Sequence, residues 1–452
     1  MKLFWYLVTS FIIWVVEAVP VIPLETRSSL IPPSDDPFYN PPVGFEKEPL
    51  GAILRQRRND HSYGFLFLPQ NIEAAYQFLV RSEDSFGEPI GVVATLFVPH
   101  NADPTKLLSY QVAEDSSYKN CAPSYAMQNG APLSTIVTPQ LEGFLTQAGL
   151  NQGWYVVVPD HEGPKSTYVA GYSAGKAVLN SIRAVLSSGN DTGIDPDAEV
   201  ALWGYSGGSL GTGWGAQLHP TYAPELNLIG AAYGGIIVNV SSVAKYNLGK
   251  ATAGLVFSAI NGLTNEYPEL NTYVNENVFP SKLKKFRKPQ SECLIQYVLP
   301  FAFNDLKDYI PEGDNVFNTD LVRNISDHNN MLLNGMIPDI PIFLYNSKND
   351  EIVPPGDTDD LYEHFCSQGV SVEYRQDRFS EHISTQVVGS GWAFEWIRER
   401  FNGTAPVSKC VKTTVFTSLA EPLNLAGLEY IAGHALDTLK GEPVGPGQGT
   451  TS

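Results

Sequence analysis

Val200-Ala201-Leu202-Trp203-Gly204-Tyr205-Ser206-Gly207-Gly208 decides how this chain is read. Its first residues form an apolar run of the kind that makes a buried strand. The run stops at a Gly-x-Ser-x-Gly pentapeptide that leads into a segment containing Ala and Leu. Strand, serine, helix is the sequence form of a nucleophile elbow, a sharp turn that lifts a hydroxyl above the end of a sheet. Such a turn strains the serine backbone, and glycine neighbours remove the Cβ atoms that would collide where strand and helix cross.

The pentapeptide occurs twice, so its surroundings have to choose. Ser206 closes a βαβ unit: strand Trp154 to Val158, a helical pattern from Ala174 to Leu186 with Ala174, Val178, Ile182 and Val185 on one face, then strand Val200 to Trp203. Gly171-Tyr172-Ser173-Ala174-Gly175 also fits. However, only eight residues separate Val158 from the run Thr167 to Ala170 before it, too few for a helical crossover between parallel strands. Ser173 is expected to be a helix-start serine. Gly211-Thr212-Gly213-Trp214-Gly215-Ala216 resembles a dinucleotide fingerprint but begins inside the helix after the elbow, so no dinucleotide site is expected.

Outward from this unit, strand-like runs lie at Gly91 to Val98 and Leu107 to Val112, and the Asn101-Ala102-Asp103-Pro104 turn between them places them near one another in a sheet. Helical periodicity runs from Ile136 to Leu150, and further strands are predicted at Leu228 to Tyr233, Ile342 to Tyr345 and Val370 to Tyr374. Such alternation means an α/β fold, a mostly parallel sheet with helices on both faces. The rhythm breaks between 236 and 340, where helical stretches such as the face Leu248, Ala251, Leu255, Ile260 occur without a convincing strand. A connection of that length is far beyond the usual one and reads as an inserted helical cap. The expected organisation is a core of 19–235 and 341–440, a cap of 236–340 and a disordered tail of 441–452. Within the core, Val19 to about Pro49 reads as an extended arm and Thr413 to Leu439 as a hairpin or flap over the site.

A serine nucleophile needs a base to take its proton and an acid to orient that base. On α/β-hydrolase scaffolds the order is Ser, Asp or Glu, His, each in a loop after a strand. His328 falls in the cap, His364 in the helix pattern Thr358 to Gln368, and His434 near the tail. His382, in Arg378-Phe379-Ser380-Glu381-His382, follows a strand and precedes the helix pattern Gly391 to Phe401. For the acid, Asp350 follows the strand Ile342 to Tyr345, and spacing does not exclude the adjacent Glu351. The developing oxyanion needs backbone N–H donors, one from Gly207 and one from the stretch Ala113-Glu114-Asp115-Ser116-Ser117, within which the residues alone do not choose. His161-Glu162 lacks the second histidine of a zinc motif and reads as a structural turn; no metal or cofactor is expected.

Ser-Tyr-Gln-Val-Ala-Glu-Asp at 109–115, Cys121-Ala-Pro-Ser-Tyr125, Asp160-His161-Glu162-Gly163, Gly204-Tyr205-Ser206-Gly207-Gly208, Tyr222-Ala-Pro-Glu-Leu-Asn227, Asp350-Glu351-Ile352-Val353-Pro354 and Glu381-His382 together resemble the fungal secretory lipases of the lipase A type. The resemblance runs from Asp36-Pro37-Phe38-Tyr39 to Cys410. It implies an α/β-hydrolase fold with a helical cap, Ser206 as nucleophile, Asp350 as acid, His382 as base and an oxyanion hole from the N–H groups of Asp115 and Gly207. It also implies disulfides Cys121–Cys293 and Cys366–Cys410. Where the family's type member carries Tyr two residues before the oxyanion Asp, this chain has Ala113, so the acyl-pocket shape does not carry over.

Composition agrees with a secreted enzyme. Of 452 residues, 43% are hydrophobic and 17% charged, enough for a large core, and the net charge of −19 argues against nucleic acid and against docking on anionic lipid. Met1 to about Ala18 reads as a signal peptide, with Lys2, an apolar stretch and Val16-Glu17-Ala18 at the cleavage site; it is too short to span a bilayer comfortably. Four cysteines behind such a signal favour two disulfides, and spacing alone permits three connectivities. Sequons stand at Asn190, Asn239, Asn324 and Asn402. The expected function is a secreted, monomeric triacylglycerol lipase acting on lipid esters at an oil–water interface, without stable membrane insertion. The alternatives are a short-chain carboxylesterase, a serine peptidase on the same scaffold, for which no peptide-anchoring charge cluster is found, and a catalytically silent binding module, which would typically lack a triad member.

Overall fold

The strand that ends at the elbow, Glu199–Tyr205, lies in the middle of a ten-stranded sheet. The computed structural model describes residues 30–447 apart from 60, 61, 66 and 67, so the predicted signal peptide and residues 448–452 lie outside the described residues. In chain order the sheet strands are β1 Ile53–Arg58, β2 Ala74–Glu83, β3 Pro89–Val98, β4 Asp103–Gln111, β5 Trp154–Pro159, β6 Glu199–Tyr205, β7 Leu228–Gly234, β8 Ile342–Ser347, β9 Val372–Asp377 and β10 Val411–Val415. Across the sheet they run β1-β2-β3-β5-β4-β6-β7-β8-β9-β10. From β5 to β10 every neighbouring pair is parallel, whereas the pairs among β1, β2, β3 and β5 are antiparallel.

The principal helices are α1 Leu133–Leu141, α2 Gly143–Asn151, α3 Gly171–Ser187, α4 Gly207–Tyr222, α5 Val240–Asn247, α6 Ala253–Glu266, α7 Pro268–Asn277, α8 Pro280–Phe286, α9 Leu294–Tyr297, α10 Asp320–His328, α11 Pro355–Ser367, α12 His382–Val388, α13 Ser390–Phe401 and α14 Pro422–Leu439. Alternation along β6 shows why both faces are covered. Val200 and Leu202 enter one apolar cluster with Val178, Ile182 and Trp214 of α3 and α4. Ala201, Trp203 and Tyr205 enter another with Leu145 of α2, Trp396 of α13 and Ile431 of α14. A parallel sheet is sealed from water on both sides in this way, and each fully buried large apolar side chain contributes about 1.5–3 kcal/mol relative to exposure.

β3 and β4 share the sheet but are not neighbours, because β5 comes between them, antiparallel to β3 and parallel to β4 after the α1–α2 crossover. Residues 413–439 form no hairpin or flap: after β10 they become α14, whose Gly427 lets it approach Gly391 of α13 so closely that a Cβ would sit 2.5 Å from the Gly391 carbonyl. Residues 441–447 are ordered rather than a loose tail. Val444 is buried, its N–H donates to the Asn71 carbonyl at 2.8 Å, and its carbonyl accepts the His100 N–H at 2.9 Å.

Between β7 and β8 the described chain contains α5 to α10 and no strand. The apolar face drawn through Leu248 to Ile260 is interrupted, since Gly249 takes φ 73° and α6 starts only at Ala253. Phe257, Phe286, Tyr297, Phe301 and Tyr309 give this insertion an apolar cluster of its own. Towards the N-terminus, Asp36 pairs with Arg57 at 2.8 Å and Tyr39 meets Ser124 at 2.7 Å, which seats this part of the arm on the core.

Candidate active site

Ser206 sits between β6 and α4 with φ 52° and ψ −126°, a conformation that costs a non-glycine residue on the order of 1–3 kcal/mol. Its N–H donates to the Gly234 carbonyl of β7 at 2.9 Å, and its own carbonyl accepts the Ser209 N–H at 2.9 Å. The motif glycines are needed for space. A Cβ on Gly204 would lie 2.6 Å from the Gly208 carbonyl oxygen, and one on Gly208 would lie 2.0 Å from that of Gln111. Ser173, the competing serine, lies in the first turn of α3.

His382, the first residue of α12, follows β9, and Asp350 follows β8. The His382 Nε2 is 2.8 Å from Ser206 Oγ, and its Nδ1 is 2.8 Å from Asp350 Oδ2. A carboxylate only accepts, so the proton belongs on Nδ1 and Nε2 is left free to take one from the serine. Burial alone would lower the His382 pKa, but the charge and hydrogen bond of Asp350, together with the charges of Glu351 and Asp115, outweigh it and the net direction is upward. The other Asp350 oxygen accepts the N–H groups of Ile352 at 3.0 Å and Val353 at 2.7 Å. Glu351 takes a different part: it accepts the backbone N–H of His382 at 2.6 Å. Tyr205, next to the serine, donates to the His382 carbonyl at 2.8 Å, so the strand carrying the hydroxyl also holds the main chain of the histidine.

The stretch after β4 is supported by buried carboxyl groups. Asp115 has φ 52°, and its Oδ1 fills the space beside Gly207, where a Cβ would lie 1.8 Å from it. Burial pushes the Asp115 carboxyl up to about 6. Glu142 accepts the Ala113 N–H at 3.1 Å and the Tyr110 hydroxyl at 2.7 Å, and burial pushes it up to about 8. Glu162 accepts the Ser116 N–H at 3.3 and 3.4 Å. Burial, then the negative charge of neighbouring carboxyls, raises both Glu162 and Glu114. Asp160 accepts the Ser124 N–H at 2.8 Å and is pushed up to about 7 by burial. His161 and Glu162, read from sequence as a plain turn, therefore lie against the elbow and its neighbouring loop. The signal was there in Asp160-His161-Glu162, three titratable residues following an all-apolar strand.

Residues 127–409 match the secretory lipase family. Lipase A of Arthroderma benhamiae is 41% identical over 437 residues, spanning 94% of this chain and 92% of that protein. The chain belongs to the secretory lipase family. It is accordingly a hydrolase of ester bonds. Another relative, Lipase 5 of Candida albicans, is 42% identical over 422 residues, covering 92% of this chain and 90% of its own length. The X-ray structure of Candida antarctica lipase A in its closed state superposes with a TM-score of 0.81 at 27% identity, covering 93% of this chain and 100% of that one.

Secretory lipase membership suits the two disulfides, Cys121–Cys293 and Cys366–Cys410, whose Cα atoms lie 5.7 and 5.9 Å apart. Among the described residues no helix is long and apolar enough to cross a membrane, and no group of three His, Cys, Asp or Glu could hold a metal ion. Ser206 opens onto a cavity. A second cavity, lined almost entirely by apolar side chains of the insertion, lies beside it. Val169, Val240, Ala244, Val256 and Ala259 line both, so the space at the serine and the apolar space inside the insertion adjoin at these side chains.

Proposed function

We propose that the chain is a secreted triacylglycerol lipase working as a monomer by acyl-enzyme chemistry, with Ser206 as nucleophile, His382 as base and Asp350 as orienting acid. The observation that carries this is the unbroken relay from Asp350 through His382 to Ser206, complete within one chain. Ser206 Oγ attacks the ester carbonyl while Nε2 takes its proton, and the N–H groups of Gly207 and Asp115 receive the oxyanion. The imidazolium, stabilised by Asp350, gives that proton to the departing glycerol oxygen. Water then attacks the acyl-enzyme by the same route and releases the fatty acid.

The insertion acts as a cap whose apolar passage takes the acyl chain. A channel with so few polar groups favours long chains over the short-chain esterase reading, because each CH₂ moved out of water is worth about 0.8 kcal/mol. Docking on an oil surface is supported by exposed apolar side chains: Ile383 and Val387 on α12, the helix that begins with His382, Leu141 on α1, and Ile295 and Leu299 on and beside α9. The sequons at Asn190, Asn324 and Asn402 are exposed and suit glycan attachment in the secretory route. Asn239 is half-buried and uses its side-chain oxygen to cap α5, which makes it the poorest acceptor of the four. The test is ester turnover by wild type and Ser206→Ala across acyl-chain lengths, on emulsified triglycerides and dissolved esters. Wild type should favour long chains in emulsion and the variant should be inactive on all; turnover by Ser206→Ala, or no emulsion activity in wild type, would overturn the reading.

A further inference from the structure

The peptide linking Asp115 to Ser116 is gripped at both ends. Its carbonyl accepts the Tyr297 hydroxyl and, at 3.4 Å, the Ser258 hydroxyl, both from the insertion. Its N–H donates to Glu162 of the core at 3.3 Å. We propose that Tyr297 is a positioning residue for the oxyanion: by holding the Asp115 carbonyl, its hydroxyl fixes the left-handed conformation of Asp115, and through it the preceding peptide that carries the Asp115 N–H. The inference rests on the reading of that N–H as an oxyanion donor.

The backbone of Asp115 explains why a clamp is required. At φ 52° a residue bearing a Cβ is in a sparsely populated conformation. It persists only where the surroundings over-determine it, and a freed peptide plane relaxes by rotation. Tyr297 is suited to prevent that. Its ring is fully buried and packs in the insertion's own cluster with Phe257, Phe301 and Tyr309, so the hydroxyl has little freedom to leave. The α9 turn that carries it starts directly after Cys293, whose disulfide partner Cys121 lies six residues beyond Asp115. Loop and turn are thus joined covalently at one end and by the Tyr297 hydrogen bond at the other. Moving α9 releases the Asp115 carbonyl, which makes the insertion part of the machinery that holds the oxyanion site as well as a cover for the acyl passage.

The experiment compares Tyr297→Phe, Ser206→Ala and Tyr309→Phe in the full secreted chain, on a soluble short-chain p-nitrophenyl ester. Tyr309 is the control because its hydroxyl bonds Asn304 at 2.6 Å inside the same cluster. Losing a whole oxyanion donor lowers kcat by about 10²–10³, so losing its support should lower kcat of Tyr297→Phe by roughly 10–100-fold with KM within about twofold. Affinity for a trifluoromethyl ketone that mimics the tetrahedral intermediate should fall in the same proportion as kcat/KM, and Tyr309→Phe should change neither. Wild-type kcat in Tyr297→Phe beside an inactive Ser206→Ala overturns the inference and leaves the catalytic reading standing. So does a kcat loss without loss of analogue affinity, or an equal loss in Tyr309→Phe. Activity in Ser206→Ala overturns the catalytic reading itself. Should Tyr297→Phe not be secreted folded, Ser258→Ala removes the second hydroxyl on the same carbonyl; a fall in its kcat matched by weaker analogue binding supports the clamp, and unchanged kcat overturns it.

Discussion

The carboxylate of Glu351 accepts the backbone N–H of His382, while its neighbour Asp350 accepts the imidazole of the same residue. Two adjacent acids thus grip one histidine at two points, one on its main chain and one on its ring. Spacing in the sequence could not divide the roles; the direction of each side chain does.

The division gives a sharp expectation for conservative amides. Asp350→Asn keeps the shape but favours the wrong tautomer of His382, and kcat should fall by about 10³–10⁴-fold. Glu351→Gln retains an oxygen able to accept the main-chain N–H, so its kcat should stay within about tenfold of wild type, consistent with a net hydrogen-bond worth of about 1 kcal/mol. Steady-state kinetics on one soluble ester checks both, and equal losses would contradict the assignment.

Gly207 and Gly208 should respond differently to alanine although they are adjacent. A Cβ at 207 meets the Asp115 side chain at 1.8 Å, whereas one at 208 meets the Gln111 backbone oxygen at 2.0 Å. A side chain can be pushed aside, and β4 cannot move without disturbing its hydrogen bonds to β5 and β6. Gly207→Ala should therefore be secreted folded with kcat reduced about 10²-fold or more through the displaced oxyanion loop. Gly208→Ala should show its damage first as lost yield and lower Tm. Circular dichroism melts beside activity distinguish the two.

These contacts mark where the sequence was legible. The elbow, the parallel strands and the order Ser206, Asp350, His382 rest on local patterns, and those could be read residue by residue. β2 escaped because buried Gln77, Arg81 and Ser82 interrupt its apolar alternation. The docking of Val444 escaped because it depends on Asn71 and His100, more than three hundred residues away in the chain. The carboxyls under the loop after β4 escaped for a third reason: a buried Glu looks like any other Glu until the fold removes its water.

Those same carboxyls make stability depend on pH. Asp115, Asp160 and Glu142 have folded pKa values raised to about 6, 7 and 8. An unfolded chain releases these protons near pH 4, so between about pH 4 and 8 the folded state binds more protons. Stability then falls as pH rises through that window. His161 opposes the trend, because burial lowers it to about 4 and the unfolded chain takes up a proton below about 6.5. Three carboxyls outweigh one imidazole, and Tm should be higher near pH 5 than near pH 8. Glu142→Gln, which cannot ionise, should narrow that difference; a wild-type Tm that rises from pH 5 to 8 would contradict the account.

An acyl chain running from Ser206 into the insertion passes the junction of the two cavities. Ala259 of α6 lines both the cavity at Ser206 and the larger one inside the insertion, and it is small where the two meet. An indole there would fill the junction between the two. Ala259→Trp should leave turnover of acetyl and butyryl esters within a few-fold of wild type. Each CH₂ denied its apolar site forfeits about 0.8 kcal/mol, so three or four lost methylenes should lower kcat/KM for a long-chain ester by roughly 10²-fold. The measurement is the ratio of kcat/KM for palmitoyl and butyryl esters, which should fall in the variant. Truncating Val256, which lines the same junction from the same helix, should move the ratio the other way or leave it unchanged. If Ala259→Trp depresses short and long chains alike, the indole has disturbed the relay and not the passage, and the acyl chain must take another path from Ser206.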